Sequence, residues 1–92
     1  MELSNIKIIN VSETKRGTSL TTGKPWASKS VLLGFEDGTG ESYVYAQVDE
    51  DVWNNLGFIE GQVVTLNLRF RTKRYVSGFI ANDIRIVEPQ NV

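Results

Sequence analysis

The chain has no cysteine and no histidine. Without cysteine there is no disulfide, no thiolate nucleophile and no thiolate metal site. Without histidine the commonest general base and the commonest metal ligand are both gone. Only two prolines interrupt the 92 residues. No apolar run comes near the roughly 20 residues that a membrane-spanning helix needs. The start, Met1-Glu2-Leu3-Ser4-Asn5, has neither the basic nor the apolar region of a signal peptide. These absences imply a cytoplasmic protein that has no membrane association, needs no metal or other cofactor and is not an enzyme. At 40% apolar and 23% charged residues the composition is that of a folded chain. Its length gives one domain over residues 1–92.

The formal net charge of −1 conceals a partition. Residues 1–29 carry Lys7, Lys15, Arg16, Lys24 and Lys29 against Glu2 and Glu13, a balance of +3. Residues 30–68 carry seven acids (Glu36, Asp37, Glu41, Asp49, Glu50, Asp51, Glu60) and no base. Residues 69–92 return to +3 with Arg69, Arg71, Lys73, Arg74 and Arg85 against Asp83 and Glu88. Either the segments neutralise one another in space, or the basic ones form a face of their own.

Most of the chain has the two-residue period of strands. Residues 3–12 hold Ile6 and Ile8 on one face and Ile9 and Val11 on the other, a phase change that implies a bulge. Glu13 to Pro25 is polar and reads as a long loop. In residues 26–36, Val31, Leu33 and Phe35 alternate against Trp26, Ser28, Ser30 and Leu32. The turn Asp37-Gly38-Thr39-Gly40 leads into residues 41–48, where Val44, Ala46 and Val48 oppose Tyr43, Tyr45 and Gln47. Asp49-Glu50-Asp51 suits a helix start, Val52, Trp53 and Leu56 give that helix an apolar side, and Gly57 ends it. In residues 62–72, Val64, Leu66, Leu68 and Phe70 point inward, and Thr65, Asn67, Arg69 and Arg71 point outward. Thr72 to Gly78 is a basic turn. In residues 79–87, Ile80, Ile84 and Ile86 are the inward candidates, with Phe79, Ala81, Asp83 and Arg85 opposite. The end, Glu88 to Val92, reads as frayed.

This order predicts an all-β fold: a five-stranded OB-fold barrel with one short helix between strands 3 and 4. A five-stranded SH3-like barrel is the rival, but it lacks that helix. A phosphate-binding loop over Gly17–Lys24 is excluded by its spacing and by Pro25 where a Ser or Thr belongs. The Asp49-Glu50-Asp51 cluster reads as a helix cap before it reads as a metal site. No histidine is available to activate any of the Ser or Thr residues.

The informative pattern is a set of aromatics and cations on the outward phase. Trp26, Tyr43 and Tyr45 share it with Arg69 and Arg71. Loop residues Lys15, Arg16, Lys24, Lys73, Arg74 and Tyr75 extend it. Bases stack on rings and cations follow phosphates, so this composition suits single-stranded nucleic acid bound without marked sequence preference. Trp26, Tyr43, Tyr45 and Tyr75 are the candidate stacking residues. Lys24, Arg69, Arg71, Lys73 and Arg74 are the candidate phosphate contacts. The competing structural readings are that Trp26 closes a barrel end and that Arg69 and Arg71 pair with Glu36 or Glu41 across the sheet. The competing function is a protein–protein interaction module with no nucleic-acid binding. An RNA-binding cold-shock-like protein comes third, since the aromatic strand signatures of that group are absent.

The stretch Gly57-Phe58-Ile59-Glu60-Gly61-Gln62-Val63-Val64-Thr65-Leu66 resembles the helix exit and fourth strand of bacterial single-stranded DNA-binding proteins. Arg71-Thr72-Lys73-Arg74-Tyr75 with Gly78 resembles the basic, aromatic loop between their last two strands. Thr22-Gly23-Lys24-Pro25-Trp26 is similar to the opening of strand two in a small OB-like Bacteroidetes family. The resemblance implies single-stranded DNA as the partner, with RNA as a second candidate, a role in DNA replication, and assembly as dimers or tetramers. The expected end at Val92, with no acidic tail for recruiting partners, points to the compact primosomal or phage type.

Overall fold

Alternating apolar side chains commit most of the chain to strands, and the computed structural model contains six. It describes residues 1–89, with backbone only at Lys73. The elements are β1 (Glu2–Val11), β2 (Lys15–Thr18), β3 (Pro25–Glu36), β4 (Glu41–Asp49), α1 (Glu50–Leu56), β5 (Val63–Arg74) and β6 (Ile80–Val87). The all-β expectation holds, with one short helix between β4 and β5. Gln90, Asn91 and Val92 of the expected frayed end lie outside the described residues.

The sheet runs β1-β5-β6-β4-β3-β2, and β1 also pairs with β3. Five strands therefore close a ring of hydrogen bonds, with β2 attached outside it along β3. Every pairing is antiparallel except one, between β4 and β6, where Gln47 meets Arg85. The ring closes because β1 serves two partners. Its first half pairs with β5 and its second half with β3, with register shifts between Leu3 and Ile6 and between Ile8 and Asn10. Asn5 has φ 59 within the first shift, a left-handed conformation that asparagine tolerates better than most residues. The irregularity expected from the Ile8–Ile9 phase change is the second shift.

The core is the inside of the ring. Ile6 and Ile8 from β1, Val31 and Leu33 from β3, Ala46 and Val48 from β4, Leu66 and Leu68 from β5 and Ile86 from β6 are buried. Trp53 of α1 joins them at 7% exposure. A helix of seven residues is too short to persist on its own propensity. It is held by the indole in the core, by an edge-on contact between Trp53 and Phe58 (centroids 6.3 Å apart), and by Gly57. Gly57 adopts φ 70 and returns its N–H to the Trp53 carbonyl at 3.2 Å, the stop that glycine permits at low cost. No helix among the described residues is long and apolar enough to cross a membrane.

Several expectations change. The stretch from Glu13 to Pro25 is not all loop. Lys15–Thr18 pairs antiparallel with Pro25–Ser28, and the Ser19 N–H closes the turn on the Lys24 carbonyl at 2.9 Å. Phe70 and Ile80 point to the side expected, yet they are 52% and 54% exposed. Both sit where β5 and β6 have run past the ring, so the correct phase no longer leads into the core. The last strand begins at Ile80 rather than Phe79, and Phe79 is exposed.

Candidate nucleic-acid interface

The outward side of β4, β6 and β5 gathers the larger group of candidate residues. Register places Arg69 of β5 opposite Arg85 of β6, and Arg85 opposite Gln47 of β4. At about 4.8 Å between neighbouring strands, this row is roughly 10 Å wide. Two residues along β4 from Gln47 lies Tyr45, and two further lies Tyr43, at 65% and 56% exposure. Two residues along β5 from Arg69 lies Arg71, opposite Asp83. Arg69 and Arg71 are exposed. The competing reading, in which these two arginines pair with Glu36 or Glu41, is not what the structure shows. The ion pairs among the described residues are Arg85 with Asp49 at 2.9 Å and Arg16 with Glu50 at 3.0 Å.

Trp26 stands apart from this row. It shares the outward phase of β3 with Leu32, which is opposite Tyr45. Six residues of strand, about 20 Å, separate Trp26 from Leu32. Trp26 does not close an end of the ring. It is 47% exposed and lies over Gly17 of β2. A Cβ at Gly17 would stand 2.4 Å from the indole Cζ2, so only glycine leaves the ring its seat. The indole forms one wall of a cleft of about 460 Å³ shared with Arg16, Pro25, Asp49, Glu50 and Asp51. Glu50 accepts hydrogen bonds from the Thr14 hydroxyl (2.6 Å) and from Arg16. The Thr14 bond, then Arg16, hold its carboxyl below the usual range against the opposing effect of burial. Of the three carboxylates at this cleft, Glu50 pairs with Arg16 and Asp49 with Arg85, so its balance is acidic by Asp51.

The remaining candidates occupy the tip of the β5–β6 hairpin and the β2–β3 turn. Tyr75 is 50% exposed and packs on Phe79, with ring centroids 5.9 Å apart. Its N–H donates to the Phe79 carbonyl at 2.8 Å. Arg74 pairs with Ile80 across the hairpin and by alternation shares a side with Phe70, opposite to Arg69 and Arg71. The side chain of Lys73 lies outside the described residues, and its backbone pairs with Ala81. Lys24 is exposed in the turn before β3, and Lys15 and Arg16 lie further along the hairpin, opposite Ser28 and Ala27. The candidates thus form three groups rather than one continuous face: the β4–β6–β5 row, the Trp26 cleft and the hairpin tip.

Two residues of consequence were not among the candidates. Arg85 stands at the centre of the basic row, and the alternation of Ile84 and Ile86 already marked it as outward. Gly17 seats Trp26, and no local signal reveals it, because the contact exists only once the β2–β3 hairpin has formed. The cap expected at Asp49 is also different in kind. Asp49 occupies the N-cap position but makes no side-chain cap bond, and its carboxylate accepts from Arg85 instead.

Two further groups near the β3–β4 turn are displaced from their ordinary titration range. The Ser42 hydroxyl, followed by the hydroxyl and N–H of Thr39, donates to Asp37 and lowers its carboxyl from 3.8 to about 2. The Glu41 carboxylate accepts from Tyr43 and raises its phenol, with burial and the Glu41 charge adding to the effect. Compared with protein-family models, curated proteins and solved structures, the chain matches none.

Proposed function

We propose that this protein binds single-stranded DNA without marked sequence preference, along the outward side of β4, β6 and β5. The observation that carries the reading is the row Arg69, Arg85 and Gln47 with Tyr43, Tyr45 and Arg71 beside it. The exposed rings lie on β4 and the exposed guanidinium groups on β5, about two strand spacings apart, an arrangement in which bases stack along one strand and phosphates are held along the other. Tyr43 and Tyr45 would stack bases, and Arg69 and Arg71 would contact phosphates. Trp26, Lys24, Tyr75, Lys73 and Arg74 lie off this track and would serve only a strand long enough to reach the two hairpins.

The ring order supports reading the fold as an OB-fold. Leaving β2 aside, the five ring strands run first, second, third, fifth, fourth and back to first, and the third and fifth meet in parallel. OB-folds bind oligonucleotides on the face of strands two and three and on the loops joining strands one to two and four to five. Here those loops are the segment that holds β2 and the tip that holds Tyr75. The proposed row shares only β4, the third ring strand, with that face, and extends from it across β6 and β5.

Fluorescence anisotropy of a labelled oligothymidine, titrated at several salt concentrations, tests the proposal. For single strands log affinity should fall with log salt by about 0.7 per phosphate neutralised. The R69E/R71E variant should lose most of the affinity and flatten that slope by about 1.4. Absence of binding at low salt and high micromolar protein would overturn the reading, as would affinity indifferent to the double substitution. A matched oligouridine in competition separates DNA from RNA.

A further inference from the structure

The ring closes most weakly between β4 and β6. The two strands run parallel, yet among the described residues they pair only at Gln47 and Arg85. The pairs that would continue this register, Tyr45 with Asp83 and Tyr43 with Ala81, are not made. The main-chain groups left open follow from the alternation of antiparallel pairs. The Tyr75 N–H donates to the Phe79 carbonyl, so bonded pairs alternate from there along the hairpin, and Ile80 and Asn82 turn their N–H and C=O groups away from β5. The same alternation, counted from the bond between the Asp37 N–H and the Gly40 carbonyl, turns those of Tyr43 and Tyr45 away from β3. Both sets face the gap between β4 and β6.

On the core side of this gap lies a cavity of about 220 Å³. Phe35 and Val44 line it from β3 and β4, Leu68, Phe70 and Ile84 from β5 and β6, and Leu3 from β1. Every side chain that lines it is apolar, so water finds no side-chain partner there. The ribbon above it also lacks support. Leu68 donates its N–H to the Met1 carbonyl at 2.8 Å, and past that point β5 has only β6 for a partner among the described residues. A two-stranded ribbon is marginal in water, and a third strand steadies it.

Other open edges are guarded. β2 is four residues long and carries Lys15 and Arg16, and β5 beyond Leu68 carries Arg69, Arg71 and Arg74. Such charges discourage the addition of a strand. Ile80-Ala81-Asn82 has no charge, no proline and no bulge. Open N–H and C=O groups on both sides of the gap call for a main chain, and the cavity calls for an apolar side chain. We propose that the gap between β4 and β6 takes an extended peptide segment of a partner protein. The segment adds a strand between Tyr43–Tyr45 and Ile80–Asn82 and sets a side chain of valine to phenylalanine size into the cavity. The occupant is a single extended segment and not a second copy of this chain, because each of the six strands already has a neighbour and none can lie between two further edges. Arg69 and Arg71 take no part, so the site stands apart from the DNA reading.

A panel of short fluorescein-labelled peptides that alternate threonine or lysine with valine, leucine or phenylalanine tests this, by anisotropy with the full chain. At least one should bind at micromolar concentration. N-methylation of its main chain at alternate residues removes the donors to one edge and should weaken binding by at least about tenfold. Serine in place of its apolar residues should do the same by emptying the cavity. N82P removes an N–H that no strand uses, on an edge where proline is tolerated. Circular dichroism should therefore stay unchanged, while peptide affinity falls by at least about tenfold. In the free chain the amides of Tyr43, Tyr45, Ile80 and Asn82 should exchange with deuterium faster than those of their strand neighbours, and in the complex they should slow. Any of three results would overturn the proposal: no peptide bound at high micromolar protein, equal binding by the N-methylated peptide or by N82P, or protection of those four amides in the free chain.

Discussion

Gly17→Ala should unseat Trp26. The backbone at Gly17 lies outside the left-handed region, so alanine is acceptable to the chain itself. Its Cβ is acceptable only if the indole moves, since the Cζ2 and Cε2 atoms would stand 2.4 and 2.7 Å away. Trp26 is 47% exposed, so about half of an indole surface of roughly 200 Å² is covered, and at about 25 cal/mol per Å² this seat contributes ~2.5 kcal/mol. Alanine in a strand recovers about 0.5–1 kcal/mol relative to glycine. The expected net loss of stability is therefore about 1.5–2 kcal/mol. Acrylamide quenching reports the ring directly, because Trp53 is buried and contributes little to the quenchable fraction. That fraction should rise in the variant, and the denaturation midpoint should fall. Unchanged quenching together with unchanged stability would refute the argument, since it would mean that the indole does not rest on Gly17.

Trp53→Ala removes the largest side chain in the core cluster and should cost about 3–5 kcal/mol in chemical denaturation followed by circular dichroism; a loss below about 1 kcal/mol would mean that α1 does not depend on its indole. Asp37 supplies a pH dependence of defined sign. Its carboxyl is lowered in the folded state from 3.8 to about 2, so the unfolded chain binds more protons between these values and stability falls as pH drops through that window. The contribution is fully present above pH 3.8. Asp37→Asn should flatten thermal melts between pH 4 and about pH 2 relative to the unmodified chain, and identical slopes in the two proteins would contradict the Ser42 and Thr39 bonds.

The strands of the ring were legible because each presents a clean two-residue period to a single core. Val31 and Leu33, Ala46 and Val48, and Leu66 and Leu68 are all inward and buried as their spacing requires. β2 was not legible, because Lys15-Arg16-Gly17-Thr18 has no apolar alternation. It is a strand only because the Ser19–Lys24 turn folds it back on β3. Phase alone also cannot show where a ring ends. Phe70 lies two residues beyond Leu68 on the same side of β5, yet one is half exposed and the other is 3% exposed. The candidate site fails to form one face for the same reason. Trp26 and Tyr45 share a phase on paired strands, but register sets them about 20 Å apart.

Both readings of the charge partition prove to be in part true, and in different places. The acidic segment does neutralise basic ones at the start of α1, where Asp49 accepts from Arg85 and Glu50 from Arg16. These pairs join residues 36 and 34 positions apart in sequence and draw the first and last thirds of the chain against the helix. Arg69 and Arg71 are not drawn in, and no carboxylate ion-pairs with them among the described residues. Two acids do stand close to the row: Glu41 accepts from Tyr43, and Asp83 lies opposite Arg71. Under the proposed function, a polyanion on the β4–β6–β5 row meets Arg69 and Arg71 together with these two acids, rather than the net charge of the chain. The proposal therefore turns on how many of those arginines neutralise a phosphate, which a salt slope counts and a net charge does not.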